Sequence, residues 1–305
     1  MGSGDAPLER VRRLLCDWGL KPRDRGGALL LAGPKGDTEV RVIEPADSST
    51  DKRPIEAVVQ VRARLAEGPL GGDPRACDEA NRQAALGALI RMDGGPCLAS
   101  RLTTFVGEGD AWRLHVPLLA YAAAYASEGG PVTNAIVAGT WPDHGLPTNS
   151  GFVARKLAPL SSRFGFRVLC SSGVPEFTID LPLRGGEGVG QSVSRFSARV
   201  TFSSCSPHPV LGPGLRVVLE LPHRVEAPDG FHRLLGDMNA WEAAPANSVP
   251  HYGAWTAGES RSLAYRCFVP QAIWMGGLIE NLLVWMVTRA RLADGFLLAR
   301  GLAAG

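Results

Sequence analysis

Apolar residues recur every three or four positions at the start of the chain. Leu8, Val11, Leu14 and Leu15 share one face, so an amphipathic helix is expected over Leu8–Trp18. Residues 28–32 and 39–43 read as a strand pair around the turn-rich Gly33-Pro34-Lys35-Gly36-Asp37. The spacing over 55–65 is that of a helix, and 77–85 reads as a second, short and polar one. Residues 86–92, 98–106 and 112–116 then read as strands, with Asp93-Gly94-Gly95 and Gly107-Glu108-Gly109-Asp110 as hairpin turns. An apolar helix over 117–127 closes the series.

After residue 151 the order repeats. A helix is expected over 152–164, strands over 167–170, 176–181, 195–203 and 215–221, and a helix over 231–242. A strand pair at 252–256 and 262–268 follows, and then a long helix from Pro270. Matched landmarks sit about half a chain apart. Val116-Pro117 and Val269-Pro270 each read as a strand-to-helix switch, proline being suited to a first helical turn. Trp18-Gly19-Leu20 and Phe164-Gly165-Phe166 each offer a glycine C-cap between an aromatic and an apolar residue. Asn81 and Asn239 each lie near the end of a polar helix, before a strand pair. The expected fold class is therefore α+β. Two similar α-β-β-(β)-α-β-β-α halves with antiparallel sheets would be related by a pseudo-two-fold axis. The halves are residues 1–128 and 152–305. The Pro- and Gly-rich segment 129–151 is a linker.

Composition changes the picture little. The 305 residues suit two domains, and 45% apolar with 20% charged residues is globular rather than disordered. A net charge of +2 does not by itself imply a nucleic-acid partner. Arg10, Arg12, Arg13, Arg23 and Arg25 are interleaved with Glu9 and Asp17, as on a solvated helix face. Six cysteines without a CxxC pair, and no apolar leader, suit a reducing cytoplasm. Glu280 and Asn281 interrupt the longest apolar run, 272–287, which is short for a membrane span.

The element order resembles the YbjN-like fold and its relatives, the type III secretion chaperones of the CesT class. The resemblance is carried by an opening helix ending in Trp18-Gly19-Leu20, a middle helix bearing Asn81, the following strands, and the closing helix after Val116-Pro117. Phe164-Gly165-Phe166, Asn239, residues 252–268 and Val269-Pro270 take the same roles in the second half. Tandem proteins of this design are described as peptide-binding and chaperone-like. The resemblance implies binding of a protein or peptide, with no catalytic residues and no cofactor. The extended loop Pro207–Gly214 and the long strand region before it depart from the simple pattern.

Chemical motifs are weak. Gly185-Gly186-Glu187-Gly188-Val189-Gly190-Gln191-Ser192 has phosphate-loop spacing, but Gln191 replaces the lysine and a strand-like alternation follows instead of a helix. Cys205 and His208, with His223 or His232, lack the paired spacing of a zinc site, so no metal is expected. Asp143-His144 lies in the linker, and Gly258-Glu259-Ser260 lies in a strand-pair turn rather than on a nucleophile elbow.

Trp274, Leu278, Leu282 and Trp285 form one stripe on the terminal helix, flanked by Met275, Ile279 and Met286. Core packing against a sheet explains such a stripe. So does a second body: the other half, another subunit or a client peptide. Trp274, Met275, Leu278, Trp285 and Met286 are accordingly the candidate binding residues. Three functions compete, in this order. The first is a non-catalytic protein- or peptide-binding chaperone or adaptor, either a monomeric pseudo-dimer or a homodimer. The second is an enzyme with its site in the cleft between the halves. The third is a nucleic-acid-associated protein.

Overall fold

Three helices open on proline, where the missing N–H costs nothing because the first turn has no intrahelical acceptor for it. They are α1 (Pro7–Asp17), α2 (Pro74–Gln83) and α4 (Pro228–Ala243). The computed structural model describes residues 7–17, 20–32, 37–43, 55–64, 73–83, 87–92, 95–105, 157–162, 167–170, 176–183, 196–203, 214–224, 228–244, 251, 253–270 and 278–302. Asp73 caps α2, its Oδ1 accepting the Arg75 N–H at 2.9 Å. At the end of α1 the Leu20 N–H reaches the Leu15 carbonyl at 3.0 Å, the five-residue closure characteristic of a helix stopped by glycine. Residues 157–162 form a short helix, α3, and Leu278–Leu298 forms α5.

The fold is α+β, with two six-stranded antiparallel sheets. The first comprises β1 (Arg23–Arg25), β2 (Ala28–Leu31), β3 (Thr38–Ile43), β4 (Ile55–Arg64), β5 (Ala88–Met92) and β6 (Gly95–Phe105), ordered β1-β2-β3-β4-β6-β5. The second comprises β7 (Arg167–Cys170), β8 (Glu176–Leu183), β9 (Phe196–Ser203), β10 (Gly214–Arg224), β11 (Ala254–Ala257) and β12 (Ser262–Pro270), ordered β7-β8-β9-β10-β12-β11. In both sheets four strands meander, a helix intervenes, and a hairpin returns with its second strand against the fourth.

Two expectations are corrected by the first sheet. Residues 55–64 are strand β4, not a helix. Ile55, Val58 and Val59 satisfy helical spacing, but Val59, Val61 and Ala63 alternate with Gln60, Arg62 and Arg64. The β-branched run favours the strand, and β3 and β6 hydrogen-bond it on both sides. The short β1 is a second strand that alternation does not reveal, because its three residues are all charged and exposed. It pairs with β2 through Gly26-Gly27, whose φ values of 54° and 81° suit a two-residue hairpin turn. The first sheet thus has four strands before its helix where two were expected, and the second has the four expected at 167–170, 176–181, 195–203 and 215–221, so the repeated pattern with two or three is too short. Pro270 is the last residue of β12 rather than the first of a helix. The strand expected at 112–116, the helix at 117–127 and residues 271–277 lie outside the described residues.

One face of each sheet is apolar. Along β9 and β10, Ala198, Val200, Phe202, Leu215, Val217, Leu219 and Leu221 are buried, while Arg199 and Arg216 on the other face are exposed. Val11 and Leu15 of α1, Leu29, Val40 and Val61 of the first sheet, and Leu283, Met286 and Leu297 of α5 belong to one continuous core with them. Helix α5 packs on β8, β9 and β10, and α1 packs on β3. The α5 end is closed by Gly301 at φ 74°, with the Leu302 N–H on the Leu297 carbonyl at 3.0 Å.

The two sheets meet at β5 and β11, each with a helix from the other side against it. Helix α2 packs on β11, α4 packs on β5, and the two helices pack on each other. Ala88, Ile90, Ala243 and Ala254, mostly small, let the backbones approach there.

Candidate functional site

The terminal helix splits the expected binding stripe. Met286 is fully buried in the core. Trp285 is half-buried and packs against the same core. Leu278 opens α5. Trp274 and Met275 lie outside the described residues. Leu282 and Leu283, buried like Met286, show that this helix spends its apolar face on the sheet below it.

Polar chemistry concentrates instead around α4. Its buried stripe runs Leu235, Met238, Asn239, Glu242, and the last two positions are polar. Helix α5 likewise places Arg289 on the stripe Leu282, Met286, Arg289, Ala293. The two charges meet. Arg289 Nε donates to Glu242 Oε1, and Trp255 Nε1 on β11 donates to Oε2 at 2.5 Å. The Arg289 guanidinium lies 3.7 Å from the centroid of the Tyr265 ring. Trp255 and Tyr265 pack edge to face at 5.4 Å. His251 Nδ1 stands 3.7 Å from Glu242 Oε1.

Glu242 and Arg289 are each 1% exposed and His251 0%. Burial pushes the Glu242 carboxyl up, but Arg289 and then His251 more than offset it, leaving its pKa below the usual carboxylate value. The neighbouring Cys267 is driven by burial up to about 12, a neutral thiol with no nucleophilic form near neutral pH. The cluster is an ionised, sealed network that ties α4, α5, β11 and β12 together. The sequence signal for it was a charge placed on each apolar stripe.

A second buried pair joins β10 to α5, with His223 Nε2 3.1 Å from Asp294 Oδ1. Burial lowers the His223 pKa and raises that of Asp294, each against the attraction of the other. Among the described residues His223 Nδ1 is buried with no hydrogen-bond partner.

The third group is at the seam between the sheets. Asp78 on α2 is buried, and its Oδ1 accepts the Ala257 N–H of β11 at 2.9 Å. Its Oδ2 lies 3.2 Å from Arg82 Nη2 and 3.4 Å from His232 Nδ1 of α4. Gln60 of β4 donates to the Ala243 carbonyl at the end of α4, at 3.2 Å. The two asparagines marked in the sequence hold sheet edges. Asn81 accepts the Leu89 N–H at 2.7 Å and donates to the Leu89 carbonyl at 3.2 Å. Asn239 does the same to Trp255 at 2.7 and 2.9 Å.

The loop at 185–192, Asp143-His144, Cys205 and His208 lie outside the described residues. Residues 196–203, after that glycine-rich loop, form β9. Glu259–Arg261 makes a 3₁₀ turn inside the β11–β12 hairpin. Among the described residues no group of three or more His, Cys, Asp or Glu side chains is placed to hold a metal ion. No described helix is long and apolar enough to cross a membrane. No family model matches the chain, and no curated protein or solved structure matches it.

Proposed function

We propose that this chain is a non-catalytic, cytoplasmic protein- or peptide-binding protein, chaperone- or adaptor-like. It is built from two copies of one YbjN-like or CesT-class-like unit, residues 1–128 and 152–305, joined by the linker 129–151. The observation that carries this reading is the strand order shared by the two sheets, with an asparagine clasp at the same point of each. The contacts at the seam are reciprocal. Helix α2 lies against β11 as α4 lies against β5, as an approximate two-fold axis requires. Such an arrangement makes one chain a pseudo-dimer, and the remaining apolar and polar outer surfaces are left for a partner.

The burial of Glu242, Arg289, His251 and Cys267 supports binding over catalysis, since groups with chemistry to offer are withdrawn from solvent. The enzyme reading keeps one observation in its favour. Asp78, Arg82 and His232 converge at the seam, where clefts between units commonly carry sites. The test is an array of peptides from the host proteome probed with the full chain, with hits measured in solution. Saturable binding of a defined peptide class supports the proposal. No binding by any peptide, together with a turnover abolished by Asp78→Asn in a stably folded variant, transfers the case to the enzyme.

A further inference from the structure

The outer face of the second sheet is not uniformly solvated where α2 reaches it. Arg266 projects from β12 on the face opposite Tyr265, and it is only partly exposed. Its Nε donates to Thr256 Oγ1 at 3.0 Å, and that buried hydroxyl in turn donates to the Ala264 carbonyl at 3.3 Å. The guanidinium is thus fixed by a buried threonine on the adjacent strand, leaving its two terminal nitrogens for other partners. Arg216 pairs with Phe268, two residues from Arg266, so strand alternation puts both arginines on the same face. Arg82 enters from α2, one turn after Asp78, which is itself bonded to the residue following Thr256.

Arg216, Arg266 and Glu220 thus share the outer face of the second sheet, and beside them on α2 stands Arg82, whose terminal nitrogens pair with Asp78 at 3.2 Å and Glu79 at 3.5 Å. Asp78 already has both oxygens engaged by Ala257, Arg82 and His232. Among the described residues no ion pair joins Arg216 or Arg266 to a carboxylate. Burial above all, then the charges of Arg82 and Arg216, lowers the Arg266 pKa against the pull of Glu220 and Asp78. A fixed, planar fork beside two further cations is built to receive a carboxylate.

We propose that the outer face of the second sheet beside α2 binds an acidic polypeptide segment, with Arg266 as the fixed anchor and Arg216 and Arg82 flanking it. This rests on the peptide-binding reading and specifies its partner as rich in Asp or Glu. The ligand would bridge the seam, touching α2 on one side and β10 and β12 on the other.

The test is fluorescence anisotropy of the full chain with three labelled short peptides: alternating Glu and Ala, alternating Gln and Ala, and alternating Leu and Ser. The Glu peptide is expected to bind, more weakly as salt rises. Arg216→Gln, at an exposed site that leaves melting unchanged, should weaken it about fivefold, the upper range for a solvent-exposed ion pair. Arg266→Lys, which keeps the charge but loses the fork, should weaken it as well. Equal binding of Glu and Gln peptides, unaffected by Arg216→Gln, would overturn the proposal and leave peptide binding intact. Binding of the Leu–Ser peptide alone would do the same. Binding of none of the three would overturn both readings.

Discussion

The side-chain amide of Asn239 takes both backbone groups of Trp255, its oxygen accepting the N–H at 2.7 Å and its nitrogen donating to the carbonyl at 2.9 Å. Trp255 lies on an edge strand, and the amide stands where the next strand would be. An open edge invites another chain, and here Asn239 on Trp255 and Asp78 on the Ala257 N–H close it together.

Removing the clasp should therefore destabilise the protein and open the edge. Asn239→Ala leaves a buried N–H and a buried carbonyl unpaired, so urea melts should show a loss of about 2–4 kcal/mol. Asn81→Ala should cost less, about 1–2 kcal/mol, because Leu89 is only half-buried and water can replace part of the bond. Hydrogen exchange should show the Trp255 and Leu89 amides protected in the wild type, and each released by its own variant alone.

Glu242 and Arg289 should behave as a buried pair. Arg289→Met leaves an uncompensated carboxylate and should cost about 3–5 kcal/mol. Combining it with Glu242→Leu should recover much of that loss, leaving a deficit of about 1–3 kcal/mol because Trp255 Nε1 then has no acceptor. If the double variant is as unstable as the sum of the singles, the pair is not coupled. The folded pKa of Glu242 lies below its ordinary value, so its contribution is fully present above pH 4.5 and is lost as pH falls through the lower folded value. Acid unfolding should flatten in the double variant.

The two members of the second pair have opposite pH effects. His223 is held neutral by burial, so stability is present above its ordinary 6.5 and declines as pH falls below it, where the unfolded chain takes up a proton first. Asp294 is shifted up, so its contribution is present below its ordinary 3.8 and is lost as pH rises through the higher folded value. His223→Gln should make the urea midpoint less dependent on pH just below 6.5. An unchanged slope there would show that folding does not shift the His223 pKa.

Met286 and Trp285 separate core from surface on one helix. Met286→Ala should lower stability by about 2–5 kcal/mol as a core truncation, with no specific effect on peptide capture. Trp285→Ala should cost less than the 3–5 kcal/mol of a wholly buried aromatic, in calorimetric melting. If Trp285→Ala weakens capture of a confirmed peptide by about 2 kcal/mol or more with little change in melting, the half-buried indole is a binding hot spot.

Much of the fold is readable in the chain because its elements obey local rules. Alternation locates β2, β3 and β7 to β10, and the turn residues locate both hairpins. Helix α2 was expected at 77–85 but begins at Pro74, three residues earlier, where Asp73 supplies the cap. Strand β4 was misread because Ile55, Val58 and Val59 fit two periods at once, and only its two neighbours decide between them. Strand β1 was missed because three charged residues carry no pattern. Asn81 and Asn239 were visible as landmarks but not as edge clasps, since that role depends on which strand lies at the edge. Glu242 and Arg289 lie 47 positions apart, and nothing local says that they meet.

The bonds across the seam impose a timetable on synthesis. Asp78 and Ala257 are 179 residues apart, and Gln60 and Ala243 are 183. At a ribosomal pace of 5–20 residues per second, α2 must wait roughly 9–36 s for the strand it bonds. During that interval the nascent first sheet holds β5 without α4 over it, and the Asp78 carboxylate has no backbone N–H to accept. The seam therefore closes late, and a chain cut short before residue 257 would carry that unfinished face into the cell.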